Sequence, residues 1–222
     1  MPTKYVRVLK KKNKEEKKVE EREPDKHIKK VNTLLCSTDN YPLVKWSKYV
    51  KCGYVKRVSD SEIEGKVIEL SGSVTGVWIS LPKVIDQVIG ITYPWLFFII
   101  KAIPDKQLVI DIQVMDSNSM KRTFRFDTKT TLTKLRHMVA WLDLSIKPGY
   151  WNCLEMDLQH LVSKNYCTRF TQLCRIQIHG CCKLRRIYSA SCFITQEELP
   201  AEYKVIPVAN LSEPINKLDS TN

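Results

Sequence analysis

Residues 107–127 read QLVIDIQVMDSNSMKRTFRFD, and this stretch decides the fold class. Every second residue in 108–114 is apolar, residues 116–119 are typical of a turn, and the segment that follows places Phe124 and Phe126 on one face. A period of two is the pattern of a strand that buries one side. Two such strands joined by turn residues predict a β-hairpin with one apolar and one polar face.

The same pattern recurs along most of the chain. Further strands are predicted at residues 66–70, 75–81, 95–103, 138–144, 150–156, 172–179 and 183–189. One helix is predicted to begin after Asp157 and to run through Lys164, and a second, short helix to begin at Thr195, which forms a capping-box pair with Glu198. Many short strands and little helix predict an all-β, jelly-roll-like β-sandwich with one or two short helices.

The charge divides the chain into parts. The net charge is +12, and residues 1–30 contribute 12 Lys or Arg against 6 Asp or Glu, which is half of it. We therefore predict a charged, flexible N-terminal extension at residues 1–33, a sandwich domain at 34–210 and a C-terminal tail at 211–222. The extension either grips an acidic partner or serves solubility. No secretory signal or membrane span is predicted, which favours the cytoplasm and reduced cysteines.

No local motif supplies a nucleophile, a base and an orienting group, so catalysis is not expected. The nearest approach to a metal site is the set Cys174, His179, Cys181 and Cys182. Its spacing differs from the paired ligands of structural zinc sites, and Cys174 alternates with core positions. We expect no cofactor and no metal. Trp78, Trp95 and Trp141 lie in apolar runs and are expected to fill the core.

Basic residues interleaved on strands are the best indication of a partner surface. The predicted binding residues are Lys56, Arg57, Lys121, Arg125, Lys183, Arg185 and Arg186. One sign of charge on one face attracts acidic polymers or acidic proteins, although most surface charges are only solvated. A nucleic-acid-binding module and, less favoured, a glycan-binding module remain as alternatives. The chain has no recognisable nucleic-acid motif, so nucleic acid is an unlikely partner.

Several ordered segments resemble the cilia- and flagella-associated protein 20 family. They are residues 53–58 (GYVKRV), 111–116 (DIQVMD), 121–125 (KRTFR), 150–152 (YWN), 175–179 (RIQIH), 184–188 (LRRIY) and 198–203 (ELPAEY). The resemblance covers about residues 41–210. The N-terminal extension, the weakly matching stretch 81–90 and an apparent insertion at Tyr150 indicate a divergent paralogue.

The resemblance implies a non-catalytic jelly-roll module in the axoneme of cilia or sperm flagella, whereas the nucleic-acid alternative, with its basic tail, implies the nucleus. It implies a position at the inner junction, where the A- and B-tubules of doublet microtubules meet. The implied partners are α/β-tubulin and other inner-junction proteins such as the Parkin co-regulated gene product, with no membrane contact. We expect the basic strand faces to bind acidic tubulin surfaces and so to support motility.

Overall fold

The computed structural model describes residues 30–195, 197–200 and 203–204. Most of the predicted N-terminal extension and all of the predicted C-terminal tail lie outside these residues. The first strand begins at Val31 and therefore crosses the predicted boundary between residues 33 and 34.

The described residues form two packed sheets and one helix. The six-stranded sheet contains β11 (Trp151–Asp157), β6 (Trp95–Ala102), β13 (Cys182–Ala190), β4 (Gly65–Gly72) and β3 (Gly53–Asp60) in that order, and β1 (Val31–Cys36) also pairs with β13. The seven-stranded sheet has the order β2 (Ser47–Val50), β5 (Val77–Leu81), β12 (Phe170–Gly180), β7 (Leu108–Asp116), β8 (Lys121–Asp127), β10 (Val139–Asp143) and β9 (Lys134–Leu135). The all-β sandwich prediction is confirmed.

The predicted hairpin lies at the centre of this architecture. Strands β7 and β8 pair antiparallel, with Ile112 opposite Phe124 and Asp111 opposite Arg125. The alternate apolar residues of β7 and Phe124 are fully buried between the sheets. Because each fully buried Leu, Ile or Phe side chain contributes about 1.5–3 kcal/mol, this face anchors the seven-stranded sheet.

The first predicted helix is confirmed, and the described residues at the second position show a turn in place of a helix. Helix α1 (Leu158–Tyr166) follows Asp157, whose side chain accepts a hydrogen bond from the His160 N–H at 2.9 Å. At the second position the capping-box bond forms, with the Thr195 N–H donating to Glu198. The described residues there make only a turn, because Glu198 N–H returns to the Thr195 carbonyl and Pro200 follows shortly after. No helix among the described residues is long and apolar enough to cross a membrane.

The chain path from β8 to β10 is unusual for this sandwich, because the two strands pair parallel. Val139 lies beside Thr123 and Asp143 beside Asp127, so the chain must return along the whole of β8 before β10 begins. Residues 128–138 make this return, and they contain the short edge strand β9. The connection therefore forms one edge of the seven-stranded sheet.

The expectation that three tryptophans fill the core is wrong for Trp78 and Trp141, whereas Trp95 packs against a second, smaller apolar cluster that includes Phe97 and Tyr188. Trp78, Trp95 and Trp141 are only partly buried and lie on the outer faces of the sheets, while Trp46 is the tryptophan in the core, 2% exposed. Trp78 stacks on Tyr49 of the neighbouring strand with ring centroids 3.6 Å apart. Tryptophan is tolerated at such positions because part of the indole ring packs against apolar neighbours while the rest remains in contact with water.

Candidate partner-binding surfaces

The structure does not bring the predicted basic residues together on one face. The seven-stranded sheet carries Lys121 and Arg125, and the six-stranded sheet carries Lys56, Arg57, Lys183, Arg185 and Arg186. Their surroundings also differ, because some are held by neighbouring carboxylates or carbonyls and others are exposed. The seven positions remain predictions as binding residues.

Two of the predicted cations are neutralised within the fold. Arg125 binds Asp111 through two hydrogen bonds, Nε to Oδ1 at 2.7 Å and a terminal nitrogen to Oδ2 at 2.6 Å. The Lys183 ammonium binds Asp60 Oδ2 at 2.8 Å, and this bond raises the pKa of Lys183. A charge already held by a partner at this distance contributes little field at the surface.

Two more of the predicted cations serve packing. Arg185 donates to the Lys66 carbonyl at 2.9 Å and to Ser37 Oγ at 3.2 Å, and burial lowers the pKa of its guanidinium. Arg186 is buried, with its guanidinium 4.1 Å from the centroid of the Tyr203 ring. These contacts fasten strand β13 to its surroundings.

The remaining three, Lys56, Arg57 and Lys121, are exposed. None of them takes part in an ion pair with another described residue. Lys56 rests its ammonium 4.6 Å from the centroid of the Tyr54 ring, which leaves the charge accessible to solvent. These three are the predicted residues that are free to meet a partner.

Three buried carboxylates, Asp60, Asp111 and Asp116, organise the polar interior. Burial alone raises a carboxyl pKa, but hydrogen bonds outweigh it at all three and hold each pKa below its ordinary value. The decisive bonds come from Lys183 to Asp60, from Arg125 to Asp111, and from the Met120 N–H and Arg122 to Asp116. The ionised forms are therefore built into the fold.

A first surface groove, which we name the basic groove, lies at the β9 edge of the seven-stranded sheet. It has a volume of about 410 Å³ and is lined by Lys129, Thr130, Thr131, Leu132, Lys134, Arg136 and Trp141. The Arg136 guanidinium lies 5.7 Å from the Trp141 ring centroid, and no carboxylate lines the groove. The three cations are exposed and make no ion pair with another described residue.

A second groove, which we name the edge groove, lies where edge strands β2 and β3 of the two sheets meet. It has a volume of about 380 Å³ and is lined by Asn40, Tyr41, Pro42, Leu43, Val44, Lys48, Val55, Lys56, Arg57 and Ile68. It thus combines exposed apolar side chains with three cations, two of which the sequence had indicated. Again no carboxylate lines it.

Sequence reasoning missed the basic groove. The signal was present, because residues 128–138 contain Lys129, Lys134, Arg136 and His137 without one carboxylate. Trp141 belongs to the next strand, and its place beside these cations depends on the return of the chain along β8. Composition could have marked the segment, whereas the contact with tryptophan required the fold.

The thiol and imidazole groups considered for zinc are held separately. Cys181 Sγ contacts the Gly72 carbonyl at 3.1 Å, His179 Nδ1 donates to the Val74 carbonyl at 3.1 Å, and Cys174 and Cys182 are buried. Burial raises the pKa of both buried thiols. Within the described ranges, no three His, Cys, Asp or Glu side chains are grouped as metal ligands.

Comparison with known proteins gives one consistent family. A model of the CFA20 domain matches residues 24–207. The chain is 32% identical over 174 residues to cilia- and flagella-associated protein 20 of Caenorhabditis elegans, covering 78% of this chain and 85% of the relative. It is 31% identical to the protein of the same name from Chlamydomonas reinhardtii, with 78% and 90% covered.

Among solved structures, the chain is similar to the C-terminal family 22 carbohydrate binding module of Clostridium thermocellum Xyn10B. The TM-score is 0.38 at 9% identity, over 73% of this chain and 96% of the module. The sequence match, by contrast, spans most of the two-sheet domain and all the strands that line both grooves. The chain therefore belongs to the CFA20 domain family.

Proposed function

We propose that this protein is a non-catalytic structural component of the axoneme in cilia or flagella and that it binds the tubulin of doublet microtubules at their inner junction. Relatives from a nematode, a green alga and a ciliate all bear the name cilia- and flagella-associated protein 20, and none of these names states a catalytic activity. The cilium or flagellum is accordingly the proposed location, with other inner-junction proteins, such as the Parkin co-regulated gene product, as proposed neighbours.

The observation that carries the tubulin part of the proposal is the basic groove. Lys129, Lys134 and Arg136 line the same groove as Trp141, and no carboxylate in the lining competes for them. Microtubule surfaces are acidic, so an unpaired cluster of cations produces electrostatic complementarity and speeds encounter. Repeated contacts along a lattice add avidity even where each contact is weak.

The predicted strand residues contribute unequally under this proposal. Lys121 is exposed at the start of β8 and can add to the field, whereas Arg125 and Lys183 already bind Asp111 and Asp60. Reversing Arg125 would break a structural pair as well as remove a surface charge. Variants of the basic groove therefore test microtubule binding more cleanly than variants of the strand residues.

The test is co-sedimentation with taxol-stabilised microtubules. The variant Lys129→Glu/Lys134→Glu/Arg136→Glu is expected to bind at least about tenfold more weakly, since several complementary contacts are reversed. The matched control Lys51→Glu/Lys83→Glu/Lys164→Glu changes the net charge equally at scattered exposed positions and should retain most of the binding. Equal loss in both variants, or no loss in the first, contradicts a specific role of the groove.

Competition separates tubulin from nucleic acid. Duplex DNA added at increasing concentration should release the protein from microtubules only at low salt, because non-specific attraction to phosphate weakens steeply with ionic strength. Tighter binding to the duplex than to microtubules at physiological salt would instead support the nucleic-acid alternative.

A further inference from the structure

The edge groove presents apolar side chains to solvent on a fixed framework. Tyr41 is 79% exposed and Val44 is 67% exposed, the highest values among the large apolar residues of the groove. Grouped exposed apolar residues of this kind mark interaction sites more often than chance solvent exposure. The groove is therefore a candidate surface for a partner.

The segment that carries these residues is anchored by a buried tryptophan. Trp46 is 2% exposed, and its indole N–H donates to the Leu34 carbonyl at 3.1 Å. Backbone bonds from Val44 to Tyr41 and from Trp46 to Leu43, each 3.1 Å, close two consecutive turns. The surface is consequently preorganised, which reduces the entropy lost when a partner binds.

The charged side chains that line the groove are all cations. Lys48, Lys56 and Arg57 line it and make no ion pair with the rest of the described chain. No carboxylate is among the lining residues, so the charges of the lining complement an acidic occupant. The apolar and the basic lining residues together match an occupant that has both apolar and acidic side chains.

The backbone at the groove favours an extended occupant. Strand β2 ends one sheet and strand β3 ends the other, so each presents unpaired backbone groups on its outer side within the described fold. Edge strands of this kind bind extended peptides by adding a strand, with alternate side chains entering pockets. An alternation of apolar and acidic residues in the occupant provides partners for both the apolar and the basic lining residues.

We infer that the edge groove docks an extended acidic segment of a partner protein, in which carboxylate and apolar side chains alternate. The occupant differs from the tubulin surface proposed for the basic groove, and the two sites lie at opposite ends of the seven-stranded sheet. Nucleic acid is the poorer match, because phosphates would bind the lining cations but leave Tyr41 and Val44 uncovered.

The experiment measures fluorescence anisotropy of labelled probes against the full chain at about 150 mM salt, where long-range attraction is screened. The probe is a peptide of about ten residues with alternating Glu and Val, and the control peptide alternates Glu and Ser at equal charge. The Glu–Val peptide is expected to bind at least about tenfold more tightly, as expected when apolar anchors carry much of the affinity. A labelled DNA duplex is the third probe.

Two variants locate the site. Val44→Asp and Lys56→Glu are each expected to weaken binding of the Glu–Val peptide by about tenfold or more, and both positions are exposed, so folding is retained. Equal affinity for the two peptides, tighter binding to the duplex, or wild-type binding by Val44→Asp would overturn the inference.

The same variants separate this site from the microtubule surface. Val44→Asp should co-sediment with microtubules as the unmodified chain does, and the triple variant of the basic groove should keep its peptide affinity. Loss of microtubule binding alone therefore reports on the basic groove, and loss of peptide binding alone reports on the edge groove. Simultaneous loss of both in Val44→Asp would contradict two independent sites.

Discussion

Replacing Asp116 by alanine removes the acceptor that ties the central hairpin to the end of helix α1. Asp116 is 1% exposed, and its Oδ1 accepts from the Asn118 and Met120 N–H groups at 3.0 and 2.9 Å. Its Oδ2 accepts from Arg122 Nε at 2.9 Å and from Thr168 Oγ1 at 3.2 Å. One carboxylate thus satisfies four donors, of which the Arg122 guanidinium is buried.

The expected cost follows from what is left behind. Arg122 is also buried, 6% exposed, so Asp116→Ala leaves a desolvated guanidinium without its counter-charge and two backbone N–H groups without acceptors. Breaking a buried ion pair by removing one partner costs about 3–5 kcal/mol. Because single domains are stable by only about 5–15 kcal/mol, the variant should lose a large part of its free energy of unfolding.

Urea unfolding followed by tryptophan fluorescence measures this loss. With a slope of about 2 kcal/mol per molar urea, the midpoint should fall by about 1.5–2.5 M. Asp86→Ala is the matched control, because Asp86 is exposed and its replacement should change stability by no more than about 0.5 kcal/mol. The double variant Asp116→Ala/Arg122→Met should recover part of the loss, since the unpaired charge is then absent.

A loss below about 1 kcal/mol in Asp116→Ala would refute the reasoning, because it would mean that the four donors find other partners at little cost. A double variant less stable than Asp116→Ala would also contradict the reasoning. It would mean that the loss of stability in the single variant does not come from the unpaired Arg122 guanidinium.

Three further predictions concern pH, backbone and thiols. The three buried carboxylates have depressed pKa values, so their contribution to stability should stay constant from pH 7 to about pH 5 and be lost as the pH falls below about 4; urea midpoints that do not fall between pH 5 and pH 3 would contradict this. Gly180 has φ +92°, and a Cβ there would overlap the Gln107 carbonyl, so Gly180→Ala should cost at least about 2 kcal/mol, whereas Gly90→Ala, at φ +75° with the Gln172 side chain only in ordinary contact, should cost about 1 kcal/mol by the same assay. Native-state alkylation with iodoacetamide, located by mass spectrometry, should modify exposed Cys52 and spare Cys182, whose burial raises the thiol pKa; equal modification would show that the interior opens.

The hairpin could be predicted because its information is local. Alternating apolar residues define two faces, and the turn between them fixes the register that puts Asp111 opposite Arg125. Strands β2 and β9 lacked such a signal, since edge strands of four and two residues bury no continuous face. Their existence depends on a neighbouring strand supplied from elsewhere in the chain.

The tryptophan error was avoidable from the residues themselves. In β5, Val77, Ile79 and Leu81 alternate and are buried, so Trp78 must face outward. The apolar run concealed this alternation, because an outward tryptophan counts as apolar in any window. Its stacking partner Tyr49 lies on a separate strand and could not be identified before the sheet order was known.

The candidate surfaces were predictable only in part, because the partner of a charge depends on the fold. Lys183 and Asp60 are 123 positions apart in the chain, and only the tertiary fold brings them together. Lys56 and Arg57 were indicated correctly as exposed cations, yet the apolar residues beside them in the groove come from the turns around Tyr41 and Val44. Local sequence located charges, and the tertiary fold decided which of them remained unpaired.

The connection at residues 128–138 has a length and a set of charges, and the parallel pairing of β8 and β10 constrains only the length. Val139 must start beside Thr123, so the chain has to travel back about 13 Å along β8 before β10 can begin. Its length is thus a topological requirement, and deletions within it should unpair an edge of the sheet. Its charges carry no such constraint, so relatives and engineered variants can change what the groove attracts without changing how the domain folds.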